Sequence, residues 1–371
     1  GHLGRVLRVI GKLRAELPEG NILLATDARE SALAAQTSSL AVMKLPAFEF
    51  VNEAYAEKPF ALNINKRQLH VIRKNLLLSL IHSYRPHVVY MDTLPHGKQD
   101  EMMSALKWTR RHGGKVILCM RDIPAAPDED FKFTDLQRVV EALSLYDRIL
   151  IAGDQSFFDP AAAYKWPQSI REKTRHIGFV IPKCKTTPRT GDPSPAGREI
   201  VASFGGGWEA VECGRVVIES MKKIAQNGAD LRLKLYTGPA ISEDDFRELG
   251  QSVGNLGIVQ RFSSDFARDL ANAAVAILQA GSTVFQVLDS DMPLIVYFRD
   301  FKDKEQEIRA NLLSKFPGIS VLGKSQFSVE NVAANLANAL EKPRMARITG
   351  YSFDGVNAAV REIINTIPPI S

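Results

Sequence analysis

The chain has 371 residues, of which 45% are hydrophobic and 24% are charged, and its formal net charge is +5 at neutral pH. This length and composition predict a globular protein with two domains, each with its own core. The basic excess is small and dispersed, which argues against nucleic-acid binding, because such an interface needs clustered cations and stacking aromatics. It fits an anionic small molecule or a membrane surface that carries a lipid acceptor equally well.

Targeting and redox signals are weak along the whole chain. No apolar run is long enough to predict a membrane-spanning helix, and the opening residues GHLGRVLRVIGKL have no cleavable signal pattern. We therefore predict a cytoplasmic protein, with peripheral contact at the inner face of the membrane left open. Cys119, Cys184 and Cys213 are far apart and form no CxxC pair, which argues against a disulfide framework or a structural zinc site.

The first half of the chain alternates between helical and strand patterns. Apolar residues from Leu3 to Leu17 fall on one helical face, and further helices are predicted over 68–84 and 135–145. Short apolar runs predict buried strands at 22–25, 87–91, 116–120, 148–152 and 176–180. Continuous apolar strands separated by helices indicate a parallel sheet covered on both faces, so we predict a doubly wound domain over 1–182.

A segment rich in Pro, Thr, Ser and Gly at 183–198 predicts an interdomain linker. A second α/β domain is predicted over 199–350, with strands at 199–204, 231–236, 259–262, 275–278, 294–297 and 320–322. The helical tail breaks at Pro343, and the segment 351–371 predicts a final helix that is free to pack back on the first domain. The predicted fold class is α/β: two doubly wound Rossmann-like domains that face each other across a cleft, with ligands at the carboxyl ends of the strands.

Two turns of small residues follow strands of the second domain. The turn Ala280–Thr283 separates a strand from a helix, so a phosphate can approach its backbone amides closely. Gly205, Gly206 and Gly207 follow the first strand and either admit a ligand or simply permit the turn. Neither turn has the spacing of a P-loop or of a dinucleotide fingerprint, which argues against ATP hydrolysis and nicotinamide chemistry.

Candidate chemistry in the first domain begins with His2. This residue is either a general base, a hydrogen-bond donor to phosphate, or part of a Gly-His remnant of an engineered terminus. Asp92 and Arg121 follow two predicted strands, where residues either face a ligand or only cap loops. The Asp289–Asp291 turn reads as an ordinary loop, and no cluster has metal-ligand spacing, so no metal site is predicted.

With these motifs identified, the chain resembles the two-domain GT-B glycosyltransferases, and among them family 28, which includes the enzyme that completes lipid II. It is most similar to predicted glycosyltransferases with a GLGHxxR-like start, a strand ending in GGG, and a GGYNTxxE…PRxxxxxEQxxRA segment. The resemblance covers most of the chain and is strongest at 1–5, 175–180, 204–207, 236–239 and 280–310.

The resemblance implies residue roles. It places Ser282 and Thr283 in the diphosphate turn with Gly281, and His2 at the histidine of the family's glycine loop, which is truncated here. The remaining donor-side residues would be Gly178 and Phe179 facing the diphosphate, Phe262 and Ser263 bordering the base, and Gln306 and Arg309 near the donor. Gln286 stands where the family usually has a glutamate that binds the ribose, so charge assistance is lost there.

The implied activity is metal-independent, inverting transfer of a sugar from a nucleotide diphosphate sugar, with UDP as the expected nucleotide, to an acceptor hydroxyl. His2 or Asp92 would deprotonate the acceptor, which is either a small molecule or a lipid, and no cofactor beyond the donor is expected. Two alternatives stay open: a nucleotide-sugar hydrolase or 2-epimerase of the same fold, and a non-catalytic nucleotide-sugar-binding subunit.

Overall fold

The computed structural model describes residues 2–28, 40–50, 57–124, 136–182, 198–205, 209–226, 228–290, 292–300, 304–341 and 348–368. The chain divides into two compact units: the first contains His2–Val180 and Ser352–Ser371, and the second contains Ile181–Tyr351. The predicted linker lies, apart from Arg198, outside the described residues, as do Gly206 and Gly207.

The first unit contains eight strands within the described residues. They are β1 (Ile22–Thr26), β2 (Leu40–Lys44), β3 (Phe48–Phe50), β4 (Glu57–Pro59), β5 (Val88–Asp92), β6 (Lys115–Arg121), β7 (Arg148–Ala152) and β8 (Thr174–His176). Strands β5, β6, β7 and β8 form a parallel sheet in that order, β1 pairs with β2 in parallel, and β3 pairs with β4 in antiparallel fashion. The helices are α1 (His2–Glu16), α2 (Lys66–Tyr84), α3 (Met103–Arg111), α4 (Leu136–Ser144), α5 (Pro160–Ala163), α6 (Gln168–Arg171) and α13 (Gly355–Thr366).

Both faces of the four-stranded sheet are buried. Strand β6 illustrates this: Val116 and Leu118 belong to a core cluster with residues of α2 and α3, whereas Ile117 and Cys119 belong to a second cluster with residues of α1 and α13. Alternate side chains of a strand point to opposite faces, so a strand covered on both sides must be apolar throughout. This requirement explains the continuous apolar run that predicted the strand.

The second unit is a single parallel sheet with helices. Its strands are β9 (Arg198–Ser203), β10 (Leu231–Tyr236), β11 (Gly257–Gln260), β12 (Val275–Gln279), β13 (Leu294–Phe298) and β14 (Ile319–Gly323). Its helices are α7 (Ala210–Ala225), α8 (Glu243–Val253), α9 (Phe266–Asn272), α10 (Val284–Leu288), α11 (Glu305–Leu313) and α12 (Val329–Glu341). The strand order is β11-β10-β9-β12-β13-β14. Numbered within the unit this is 3-2-1-4-5-6, the order of dinucleotide-binding folds.

Most predicted elements lie within two residues of their predicted ends, and the α/β class is confirmed. One strand was misplaced: the run 176–180 was predicted as a strand, but β8 ends at His176 and the residues after it are not in a strand. Strands β2, β3 and β4 were not predicted, because each is short and its side chains are only partly buried where described.

Candidate functional site

The order of the second sheet concentrates the predicted donor-site residues at one edge. All six strands are parallel, so their carboxyl ends lie on the same side, and the chain leaves in opposite directions from β9 and β12. Ligands of open parallel sheets bind outside this point of reversal. Gly205 follows β9, and the turn Gly281–Thr283 follows β12, so the sheet places these two turns on either side of the reversal point.

The turn after β12 has backbone amides available for a ligand. Within the described part of the chain, no acceptor is recorded for the amides of Ser282 and Thr283, and Ser282 is exposed. A Cβ added to Gly281 would meet only the carbonyl of Gln279, at 4.0 Å. The protein itself therefore does not require glycine at position 281, and the space in front of the turn is open. Unpaired amides next to open space suit a phosphate.

Gln286 lies in α10, directly after this turn. Its Oε1 atom is buried and has no hydrogen-bond partner in the described residues. A buried carbonyl oxygen without a donor costs free energy, about 1–3 kcal/mol by general experience. A ligand hydroxyl that donates to Oε1 would remove this cost, which is the chemistry that the resemblance assigns to the ribose.

Arg309 and Gln306 are buried below the turn instead of facing a ligand. Arg309 is only 1% exposed, donates from Nη1 to the carbonyl oxygen of Ala280 (2.6 Å) and pairs through Nη2 with Glu305 (3.3 Å). Gln306 is 8% exposed, and its Oε1 lies 3.5 Å from the amide of Arg299. Arg309, which the resemblance places near the donor, thus holds the turn through its backbone.

Phe262 and Ser263 follow β11 at the same edge of the sheet. Phe262 is 64% exposed, the most exposed of the large hydrophobic side chains in the described residues. Neighbouring strands lie about 4.8 Å apart, so the ends of β11 and β12, separated by three strand spacings, are about 14 Å apart. That span is comparable to an extended nucleoside diphosphate, which allows a base at Phe262 and a diphosphate at the Gly281 turn.

In the first unit, the structure brings His2 and Asp92 together. His2 Nδ1 lies 2.8 Å from Asp92 Oδ2, at the point where α1 begins and β5 ends. The carboxylate is the stronger acceptor, so a neutral His2 donates from Nδ1 and keeps its lone pair on Nε2. The His2 side chain is 52% exposed and that of Asp92 is 13% exposed. This is the arrangement of a general base with an orienting carboxylate.

Two residues that the sequence did not single out complete the cluster. Arg5 donates from Nε and Nη2 to Asp92 Oδ1, at 2.9 and 2.5 Å, and its side chain is 10% exposed. Thr93 Oγ1 lies 2.7 Å from His2 Nδ1 and 3.1 Å from Asp92 Oδ2. Thr93 has φ of 84°, which is an outlier for a β-branched residue. Such strain persists only where the surroundings enforce it.

The protonation states follow from these contacts. Desolvation of the half-exposed His2 ring and the charge of Arg5 lower the pKa of His2 below its ordinary value, and the hydrogen bond and charge of Asp92 offset only part of this effect. Burial alone would raise the pKa of Asp92, but the hydrogen bond from His2 and the charge of Arg5 outweigh it and hold that pKa below the ordinary value. His2 is thus neutral and Asp92 ionised at neutral pH, as a general base requires.

Gly178 and Phe179 are buried in the first unit. Gly178 has φ of 79°, and a Cβ there would lie 2.5 Å from the carbonyl oxygen of Ser352. Phe179 is 0% exposed and donates its amide to the same oxygen at 2.8 Å. That both residues face the diphosphate stays a prediction. They join the end of the first sheet to the segment that leads into α13.

Among the described residues, no group of three or more His, Cys, Asp or Glu side chains could hold a metal ion. No helix in this part of the chain has both the length and the hydropathy that a membrane crossing requires.

Solved structures resemble the chain over almost its whole length. The glycotransferase of kitacinnamycin has a TM-score of 0.62 with 14% identity and coverage of 98% of this chain and 95% of that one. MurG of Acinetobacter baumannii has a TM-score of 0.59 with 12% identity and coverage of 98% and 96%. The chain has the GT-B fold. A putative UDP-N-acetylglucosamine 2-epimerase from Listeria monocytogenes has a TM-score of 0.62 with 12% identity and coverage of 99% and 94%. No protein-family model and no curated protein matches the chain.

The first prediction concerns the titration of His2. Its NMR titration should have a midpoint below 6.5, and in the Asp92→Asn variant the midpoint should fall further, because Asp92 supplies the interactions that raise the pKa of His2. A midpoint that stays the same or rises in the variant would contradict the contact between His2 and Asp92.

Proposed function

We propose that the protein is a glycosyltransferase that moves a sugar from a UDP-linked donor to an acceptor hydroxyl, without a metal ion and with inversion. The observation that carries the donor half of this proposal is the turn Gly281–Thr283, which offers unpaired amides beside open space next to the point where the strand order reverses. The fold is shared with glycosyltransferases, which supports the proposal at the level of architecture.

On the donor side, the diphosphate would accept hydrogen bonds from the amides of Ser282 and Thr283. Gln286 Oε1 would accept from a ribose hydroxyl, and Phe262 and Ser263 would border the base. When the bond between the sugar and the diphosphate breaks, negative charge accumulates on the leaving group. Amides already fixed in position stabilise that charge without reorganising, because the turn is held from below by Arg309.

On the acceptor side, Nε2 of His2 would accept the proton of the attacking hydroxyl while Asp92 stabilises the resulting imidazolium. Arg5 and Thr93 would act as positioning residues, because both bind Asp92 and hold its carboxylate against the ring. Deprotonation of the acceptor strengthens the nucleophile as the donor bond breaks. The attack displaces the diphosphate from the opposite side of the anomeric carbon, which inverts the configuration.

The epimerase alternative is kept because a UDP-N-acetylglucosamine 2-epimerase shares the fold at the same level of similarity as the glycosyltransferases. Any reaction that releases a nucleoside diphosphate uses the turn Gly281–Thr283 in the same way. The products separate the alternatives: transfer gives UDP and a glycosylated acceptor, hydrolysis gives UDP and free sugar, and epimerisation gives a donor with an altered sugar.

The second prediction tests the donor site. Gly281→Ala should leave stability nearly unchanged, because the added Cβ meets no atom closer than 4.0 Å, but it should weaken UDP binding about tenfold or more by blocking the approach of the diphosphate. Isothermal titration calorimetry with UDP measures this. Gly250→Ala is the matched control, since a Cβ there also meets nothing within 4 Å but lies on α8. Equal UDP affinity in the Gly281 variant and the wild type would reject the site.

The third prediction tests the base. With labelled UDP-sugars and a panel of water-soluble and lipid hydroxyl acceptors, His2→Ala should lower turnover by about 10²–10⁴-fold while UDP affinity stays unchanged. His87→Ala removes an exposed histidine from the opposite end of β5 and should retain full turnover. Analysis of the products by mass assigns the reaction class. An altered sugar that remains attached to UDP would replace the transferase proposal with the epimerase.

A lipid acceptor receives support from the surface of the first unit. Phe60 and Leu62 follow β4, which packs against α2, and α2 itself exposes Val71, Ile72 and Leu76. These five residues, which we call the α2 apolar patch, have exposures between 38% and 51%. The exposed basic residues Arg67 and Lys74 lie on the same helix. Apolar side chains beside basic ones favour an anionic membrane surface. The sequence did not predict this patch, because its members are separated along the chain.

The fourth prediction concerns that patch. The protein should sediment with vesicles of phosphatidylcholine and phosphatidylserine at low salt, and the double variant Ile72→Ser, Leu76→Ser should lose most of this binding. Ile258→Ser is the matched control, because Ile258 is 45% exposed and lies in β11 of the second unit. If the double variant and the control sediment equally, the patch does not bind membranes.

A further inference from the structure

Glu209 lies at the point where the strand order of the second unit reverses, and no step described so far uses it. It is the residue before α7, the helix that follows β9. Its carboxylate accepts a hydrogen bond from Gln279 Nε2 (2.9 Å), at the end of β12, and another from the hydroxyl of Tyr297 (2.9 Å), in β13. One carboxylate therefore connects the segment after β9 with two neighbouring strands.

These contacts bring the charge of Glu209 close to the diphosphate turn. Gln279 is the last residue of β12, and its carbonyl oxygen accepts the amide of Gly281 at 2.6 Å. The side-chain Oε1 of Gln279 faces Gly205, where a Cβ would lie only 2.6 Å away, and Gly205 has φ of 70°. Gln279 thus contacts Gly205, Glu209 and the turn at once, so a ligand bound at the turn lies near the Glu209 carboxylate.

A diphosphate and an ionised carboxylate in the same partly buried crevice repel each other. Two outcomes would relieve the repulsion: displacement of the carboxylate, or its protonation. The hydrogen bonds from Gln279 and Tyr297 oppose displacement, and Tyr297 is itself only 2% exposed, so it cannot easily move. If the proton is carried on Oε1, this hydroxyl donates to the oxygen of Tyr297, whose own proton turns away, and Oε2 still accepts from Gln279 Nε2. Both contacts therefore persist without the charge. The geometry accommodates protonation, whereas it opposes displacement.

We propose that Glu209 is a positioning residue for the diphosphate turn and that it takes up a proton from solvent when a nucleoside diphosphate binds there. The inference rests on the proposed donor site. The only covalent change is the new O–H bond on the Glu209 carboxyl group, and the proton partly offsets the charge of the incoming ligand. The uncharged carboxyl group keeps Gln279 in place, so the shape of the turn is preserved while the repulsion is removed.

The other charged and titratable groups around Glu209 are compatible with this behaviour. Burial raises the pKa of Glu209, and the hydrogen bond from Tyr297 and the charges of Arg299 and Lys324 offset part of this rise, while Glu212 adds to it. Cys213 lies near Tyr297, but burial raises the pKa of its thiol further, so it stays neutral. A diphosphate bound at the turn also raises the pKa of Glu209, as burial and the charge of Glu212 do, and so favours the protonated carboxyl group.

The fifth prediction is a difference in proton uptake. Calorimetric titration of UDP in buffers of different ionisation enthalpy, repeated between about pH 5 and 8, gives the number of protons bound with the ligand. UDP has its own titrating phosphate, but this contribution is common to all variants. The wild type should take up more protons than Glu209→Gln, whose neutral side chain has the shape of the protonated residue and should bind UDP more tightly at the upper end of this range.

Glu219→Gln is the matched control. It removes one negative charge from an exposed residue of the same helix, and Glu219 is not among the charges that act on Glu209, so the variant should retain wild-type proton uptake. Glu209→Ala removes the hydrogen bonds as well and should weaken UDP binding at every pH. Equal proton uptake in wild type and Glu209→Gln, or weaker binding by Glu209→Gln across the range, would overturn the inference and leave the donor site standing. If UDP fails to bind even the wild type, the proposed function fails first.

Discussion

The donor half of the proposed site depends on the reversal of strand order at β9. Because β10 and β12 pair with opposite edges of β9, the connections that follow β9 and β12 separate, and open parallel sheets bind their ligands at such a point. The amides of Ser282 and Thr283 can be unpaired there without being buried, which is the only way such groups are tolerated. The same reversal brings Gln279 beside Gly205 and Glu209, so the polar residues of this edge form one connected group.

The acceptor half depends on a different constraint, which is the fixed position of one carboxylate. Asp92 lies at the end of β5, next to the fully buried strand β6, so its backbone cannot move independently of the core. Arg5 occupies one oxygen, and His2 with Thr93 occupies the other. The strained backbone of Thr93, whose amide is bonded to Cys119, is the local cost of this arrangement. A base whose orientation is fixed in this way loses little entropy in the transition state.

The sequence predicted the sheets better than it predicted the contacts. Strands such as β6 and β10 could be located because burial on both faces requires a continuous apolar run. The pairing of His2 with Asp92 could not be derived, since the two residues are separated by ninety positions and only tertiary structure brings them together. Arg309 shows a further limit: its motif suggested a place near the donor, but periodicity does not distinguish a buried arginine that binds a carbonyl from an exposed one. The sequence did not indicate a role for Glu209, because an acidic residue after a glycine-rich turn is common. Its hydrogen-bond partners lie in β12 and β13, so only the folded structure shows the contacts.

The division of chemistry between the two units explains why the fold alone leaves the activity open. Stabilising a departing diphosphate is required whether the sugar passes to a hydroxyl or to water, so every feature of the Gly281 turn is shared by these reactions.

What distinguishes transfer from hydrolysis is the group that attacks the anomeric carbon and the base that prepares this group. The His2–Asp92 pair would provide such a base, with the His2 side chain half exposed and the carboxylate held by Arg5. An α2 apolar patch in the same unit as this base is what an enzyme with a lipid-linked acceptor would need, whereas a hydrolase has no use for either an apolar surface or a bound acceptor. The first unit, more than the nucleotide-binding turn, therefore favours transfer.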